Sequence, residues 1–150
     1  MTLVRYSSHF DVSPKELFEF HLDMGNLARI SPPLPRFELV RAADVTKVGD
    51  EQVFRLSLGP FGTTWHARIS KVEANTMLED VQTSGPFRRW RHQHRVTADG
   101  AGSRLTDVVA FRAIPTPVGE FAEYLLIRPG IYAMFAWRHR RTRAILRGEE

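Results

Sequence analysis

Two runs of alternating large and polar residues flank a short turn late in the chain, and this hairpin constrains the fold more than any other feature. The first run, Trp90-Arg91-His92-Gln93-His94-Arg95-Val96, places Trp90, His92, His94 and Val96 on one face of a strand. Arg89, Arg91, Gln93 and Arg95 fall on the other. Four residues of turn character follow, Asp99-Gly100-Ala101-Gly102, and then a second alternating run from Leu105 to Phe111. If Val96 stands opposite Leu105, His94 faces Asp107, His92 faces Val109 and Trp90 faces Phe111. A slip of one residue would turn all of them over. In this register an imidazole–carboxylate pair sits in an otherwise apolar wall, the pattern of a pocket with a few polar handles.

The rest of the chain supplies partners for that hairpin. Residues 3–12 read as a first strand. Ser13-Pro14-Lys15-Glu16 is a helix start, with Ser as cap, Pro in the first turn and Glu three residues after the Ser. The helix carries Leu17, Phe18 and Phe20 and ends near Asp23; residues 24–30 suggest a second short helix. Ser31-Pro32-Pro33-Leu34-Pro35 must be an extended connector. Strand-like runs then recur at 36–43, 52–59, 63–73, 77–83, 87–97 and 104–113, separated by short Gly-, Pro- and Asn-containing turns. Short loops between consecutive strands imply an antiparallel meander rather than βαβ units. Ile114-Pro115-Thr116-Pro117 ends the sheet.

From about Val118 to Arg147 the spacing is helical. Phe121, Leu125, Arg128, Tyr132, Phe135 and His139, with Tyr124, Ile127, Ile131, Met134 and Arg138, form a broad apolar stripe. Pro129-Gly130 should kink or interrupt it after Arg128. The expected fold is α+β: a seven-stranded curved antiparallel sheet, two short helices after strand 1, and a long C-terminal helix gripped by the sheet. One helix cannot fill the concavity of such a sheet, so a cavity follows from the topology.

The 150 residues read as one domain, residues 1–150, long enough to bury a sizeable core. No apolar run is long enough for a transmembrane helix and Met1–Tyr6 does not read as a secretory signal, so the cytoplasm is the expected compartment. The absence of cysteine excludes disulfides, thiolate metal ligands and cysteine nucleophiles. All but three of the 21 basic residues are arginine, and only Arg138-His139-Arg140-Arg141-Thr142-Arg143 is a dense cluster. It reads as a solvated helix end complementing the helix dipole, or as a patch for an anionic partner. No reading module for nucleic acid accompanies it. Gly59-Pro60-Phe61-Gly62 and Ser84-Gly85-Pro86-Phe87 are turn sequences without the spacing or lysine of a nucleotide loop.

Several blocks carry a family resemblance: His9-Phe10 with Pro14 and Leu17-Phe18; Trp65, Ala67 and Ile69; Asp80-Val81-Gln82-Thr83-Ser84-Gly85-Pro86-Phe87; Trp90-Arg91-His92-Gln93-His94; Thr106-Asp107; and Met134-Phe135 to Arg138. With the element order, these resemble the START-type helix-grip superfamily (SRPBCC), and within it the bacterial ligand-binding proteins described as cyclase/dehydrase-like. The resemblance implies the helix-grip fold and an apolar ligand: a lipid, an isoprenoid or quinone, or a polyketide-like molecule. It also implies, as further options, a fused or associated epimerase-like partner and a homodimer. It carries over no catalytic residue and no cofactor.

Trp65, Trp90, His92, His94, Asp107, Phe111, Tyr132 and Phe135 are therefore the candidate ligand-binding residues. His94 oriented by Asp107 is a weak candidate general base, which would make the protein an aromatase/cyclase or dehydratase instead of a binding protein. His92 and His94 at i and i+2, with Asp107 and His66, have the donor types of a metal set, but a structural hydrogen-bond network is the expectation and no metal is assigned. Whether Glu79 or Asp80 faces inward depends on the turn at Ser84–Phe87 and stays open.

Overall fold

The computed structural model describes residues 1–113 and 115–149. Ile114, expected where the sheet ends, and Glu150 lie outside the described residues. Strand β1 (Thr2–Phe10) is followed by helices α1 (Pro14–Leu22) and α2 (Gly25–Ile30). Then come β2 (Arg36–Arg41), β3 (Glu51–Leu58), β4 (Phe61–Glu73), β5 (Met77–Ser84), β6 (Arg89–Asp99) and β7 (Gly102–Arg112). The last elements are α3 (Pro117–Ala122), a π-helical turn at Glu123–Ile127, and α4 (Arg128–Leu146).

All seven strands form one antiparallel sheet in the order β1-β7-β6-β5-β4-β3-β2. Strands 2 to 7 are a continuous meander, and β1 closes onto β7. Helices α1 and α2 lie in the crossing from one sheet edge to the other. The expected register of the last hairpin holds: Val96 pairs with Leu105, His94 with Asp107, His92 with Val109 and Trp90 with Phe111. The loop is tighter than the sequence suggested, since Asp99 already pairs with Gly102 and only Gly100 (φ 59°) and Ala101 remain in the turn. A side chain at Gly102 would meet the Phe10 carbonyl oxygen at 2.2 Å, so β1 and β7 approach there as only glycine allows. Register shifts between His66/Ala67 and Ile69/Lys71 bend β4 against β5. Such bulges add twist and curl a sheet around what it holds.

At the start of α1, Ser13 Oγ accepts from the Glu16 N–H at 3.1 Å, the expected cap. At the other end of the chain the helix is interrupted as expected, but by a π-turn upstream of the proline. Pro129 has no N–H to give to Leu125, and the wider turn over Glu123–Ile127 absorbs the missing bond. Glu123, wholly buried, pins this turn to the sheet by accepting from Thr2 Oγ1 and from the Ala113 N–H, both at 2.6 Å.

The apolar stripe of the C-terminal segment is buried only in part. Ile131, Phe135, His139 and Thr142 of α4 face the sheet. Phe121, Tyr124 and Leu125, which the stripe was expected to bury, are exposed, because the π-turn and the short α3 turn them away from the concavity. Two apolar clusters flank the concavity. One gathers Val4, Trp65, Ala67, Trp90, Val109, Phe111, Ile131 and Phe135; the other gathers Phe10, Leu17, Phe18, Ile69, Leu78, Val96 and Leu105.

Candidate functional site

Between the sheet, α1, α2 and α4 lies a cavity of about 570 Å³. One end of it is aromatic. Trp65 on β4 stacks on Phe54 (centroids 5.3 Å apart, planes 22°) and meets Trp90 edge-on at 4.9 Å. Phe87 closes the corner, 4.8 Å from Trp90 and 5.4 Å from Trp65. Phe87 belongs to the loop before β6, not to the strand begun at residue 87 in the sequence reading. Gln82 holds it there, accepting from its N–H at 3.2 Å and donating to its carbonyl at 2.6 Å. The Trp65 indole N–H is buried without a partner among the described residues.

The other end is polar and centres on Asp107. Its Oδ1 accepts from His92 Nε2 at 2.7 Å and its Oδ2 from His139 Nε2 at 2.6 Å. His94 Nδ1 is also 2.7 Å from Oδ1, but off the line of a good hydrogen bond. His139 Nδ1 in turn contacts Ser8 Oγ. Burial alone would raise the Asp107 pKa. The surrounding histidines, His94 first and then the hydrogen bonds from His139 and His92, outweigh it, and the carboxyl sits well below its ordinary value. Burial, and then the neighbouring His92 ring, push the His94 pKa down, favouring its neutral ring.

Asp80 resolves the open question about β5. It pairs with His92 across the sheet and lines the cavity, with Oδ2 3.6 Å from His92 Nδ1. Burial raises its pKa to about 6. Glu79 faces away, accepting from Ser70 Oγ at 2.7 Å and from Gln93 Nε2.

Of the eight expected ligand residues, Trp65, Trp90, His92, His94, Asp107 and Phe135 line the cavity together. Phe111 and Tyr132 do not. Phe111 is wholly buried behind Trp90 and Phe87, which stand between it and the space. Tyr132 packs on the rim of the same cluster, beneath the Arg128 guanidinium. His66, considered as a metal ligand, points out of the opposite face of β4 toward Glu51, 3.3 Å away. The basic cluster on α4 does not form one patch. Arg138 and His139 line the cavity, Thr142 is buried, and Arg143 turns back to the His9 carbonyl at 2.8 Å.

Sequence reasoning missed His21, at the C-terminal end of α1. Its ring lies 5.3 Å from that of His94, its Nδ1 bonds the Leu17 carbonyl at 2.9 Å, and burial lowers its pKa to about 4. The signal was present: His21 follows Leu17 by four residues, so it shares the buried face. His139 and Arg138 were on the helical stripe, but composition assigned them to a solvated end.

A curved antiparallel sheet gripping a terminal helix around a largely apolar cavity defines the helix-grip class. The family model described as "Polyketide cyclase / dehydrase and lipid transport" matches residues 1–143, and the chain belongs to that family. No curated protein matches the sequence. Among solved structures, protein CV1439 from Chromobacterium violaceum is similar over 100% of this chain and 99% of its own, with TM-score 0.76 and 12% identity. Protein Ms6760 from Mycobacterium smegmatis is similar over 99% of this chain and 92% of its own, with TM-score 0.73 and 14% identity. TTHA0849 from Thermus thermophilus is similar over 93% and 96%, with TM-score 0.72 and 13% identity. At such identities these likenesses concern the fold.

Proposed function

We propose that the protein binds a small, largely apolar molecule in this cavity: a lipid, an isoprenoid or quinone, or a polyketide-like compound. The observation that carries the reading is a preformed space of about 570 Å³ with aromatic rings at one end and a polar cluster at the other. Small-molecule sites commonly enclose roughly 300–1,000 Å³ and combine apolar walls with a few orienting polar groups. Phe54, Trp65, Phe87 and Trp90 supply surface, at about 25 cal/mol for each Å² removed from water. His94, Asp80 and Arg138 orient one polar group, and the unpartnered Trp65 N–H suits an acceptor such as a carbonyl or ether oxygen.

The test is displacement of an apolar fluorescent probe, read also in the emission of Trp65 and Trp90, together with native mass spectrometry of the purified protein. One bound molecule per chain is expected, and Met134→Trp, which fills the cavity from α4, should abolish it. Probe binding that survives this filling would overturn the reading.

A second reading has its own observation in its favour. A neutral-favoured His94 beside the ionised Asp107 is suited to proton transfer, as a cyclase or dehydratase of polyketide-like substrates requires. Turnover of such a substrate, lost in His94→Ala with binding retained, would support it. Equal turnover in the variant would remove it.

A further inference from the structure

Two faces of the polar cluster differ in what they lack. Toward Asp107, His92 and His139 each bring an Nε2 to a carboxylate oxygen. On the other side two imidazoles and a carboxylate face one another. His92 Nε2 lies against Asp107 Oδ1 at 2.7 Å, which turns its Nδ1 to the other side, where Asp80 Oδ2 stands 3.6 Å away. His94 turns Nδ1 to the same carboxylate, which leaves Nε2 as its free nitrogen. One donor atom each from Asp80, His92 and His94 lies within 4.8 Å of the other two. Donor atoms of two imidazoles and a carboxylate, converging from two neighbouring strands at the edge of a cavity, are a set that a cation can join.

We propose that Asp80, His92 and His94 form a binding site for one divalent transition ion of the borderline class, such as zinc, iron(II) or cobalt(II). Two imidazoles and a carboxylate on one side of an ion, with the remaining positions open, is a donor set such ions accept. Ligand bonds of about 2.0–2.2 Å give tetrahedral edges of about 3.4 Å, so the Asp80–His92 separation needs little adjustment. Asp107 supplies what metal-bound histidines usually have behind them, a carboxylate that takes the second ring N–H and fixes the tautomer. His139 anchors that carboxylate from α4, so the ligands on β6 are held by the sheet and by the helix together. The local charge also suits a cation. The carboxyl groups of both Asp80 and Asp107 act on the buried guanidinium of Arg138, two acidic groups to one basic one. All three ligands line the cavity, so an open coordination position would meet whatever the cavity holds.

The full-length protein, stripped with EDTA, is titrated with cobalt(II). Uptake of one ion per chain with visible ligand-field bands is expected, displaced by zinc. Asp80→Asn and His94→Gln should each weaken uptake at least tenfold, whereas His9→Gln and His66→Gln on the surface should not change it. Nitrogen-15 NMR of the wild type gives a readout that needs no variant to fold: the ring nitrogens of His92 and His94 should shift on zinc addition, while those of His9 and His66 stay. No stoichiometric uptake, uptake that tracks the surface histidines, or zinc-induced shifts confined to His9 and His66 would each overturn the site. Apolar-probe binding by the stripped protein is a separate result, so failure of the metal site leaves the binding reading standing.

Discussion

The two ends of the cavity are built on opposite principles. The aromatic end holds itself together by contact area: Phe54, Trp65, Phe87 and Trp90 pack ring to ring, with the contacts shared among the four. The polar end depends on one residue. Three histidines from two elements address the carboxylate of Asp107, whose side chain is 3% exposed. An aromatic wall degrades gradually, whereas a network with a single hub fails at once. Buried charge is also a poor way to gain stability, since apolar residues of equal volume often do as well. That a chain keeps such a cluster beside a cavity argues that the cluster serves the contents of the cavity.

The largest expected effect tests the hub. Asp107→Ala should cost about 3–5 kcal/mol in urea unfolding, because it strands buried imidazoles without their acceptor. A loss below about 1 kcal/mol would mean water replaces the carboxylate, and the contrast between the two ends would disappear.

Next in size is a pair of aromatic truncations. Phe111→Ala, within the packed cluster, should cost about 3–5 kcal/mol, and Trp90→Ala less, about 2–3 kcal/mol, since one side of the indole already faces empty space. Probe affinity should order them the other way, falling more for Trp90→Ala. Equal probe loss in both would show that affinity follows overall packing and not the wall.

That pair also shows what the sequence can and cannot disclose. Alternation in β6 and β7 placed Trp90, His92, His94 and Asp107 on one face, and the hairpin turn fixed their register, because a period of two leaves only two choices. Phe111 shares that face and was therefore expected in the wall, yet it lies behind Trp90 and Phe87. Which of several inward residues reaches a cavity depends on how neighbouring strands and loops fill the depth, and periodicity says nothing about depth. The exposed half of the C-terminal stripe was misread for a related reason. Helical spacing identified an apolar face, but the π-turn before Pro129 decided where that face points. Asp80 stayed open in the sequence because a turn of either parity fitted. The bulges in the β4–β5 pairing are backbone features with no signature in residue types.

Acid titration separates the two ends with a smaller effect. His21 has a folded pKa of about 4 against an ordinary 6.5, so the folded form resists its protonation. Above pH 6.5 it contributes nothing; as pH falls toward 4 the unfolded chain takes the proton first, and stability drops by about 1–3 kcal/mol. Asp80, raised from 3.8 to about 6, works in the opposite sense, because protonation in that window favours the folded state. In EDTA, His21→Gln should therefore lose less stability between pH 6.5 and 4 than the wild type, and Asp80→Asn more. Trp90→Phe should follow the wild-type curve at a fixed offset. A pH slope altered by the indole would mean that the two ends are electrostatically one site.

The smallest effect comes from a position remote from both ends. Ser13→Ala removes the cap of α1 and should cost about 1 kcal/mol. Helix α1 carries Phe20 and His21 to the cavity from its far end, more than a turn away from the frayed cap. If the walls bind through local packing, probe affinity and the acid titration should both be unchanged in this variant, although its stability is lower. If instead probe affinity falls in step with stability, the cavity is a property of the whole fold's rigidity. The distinction between an aromatic end that binds and a polar end that orients would then have no independent energetic content.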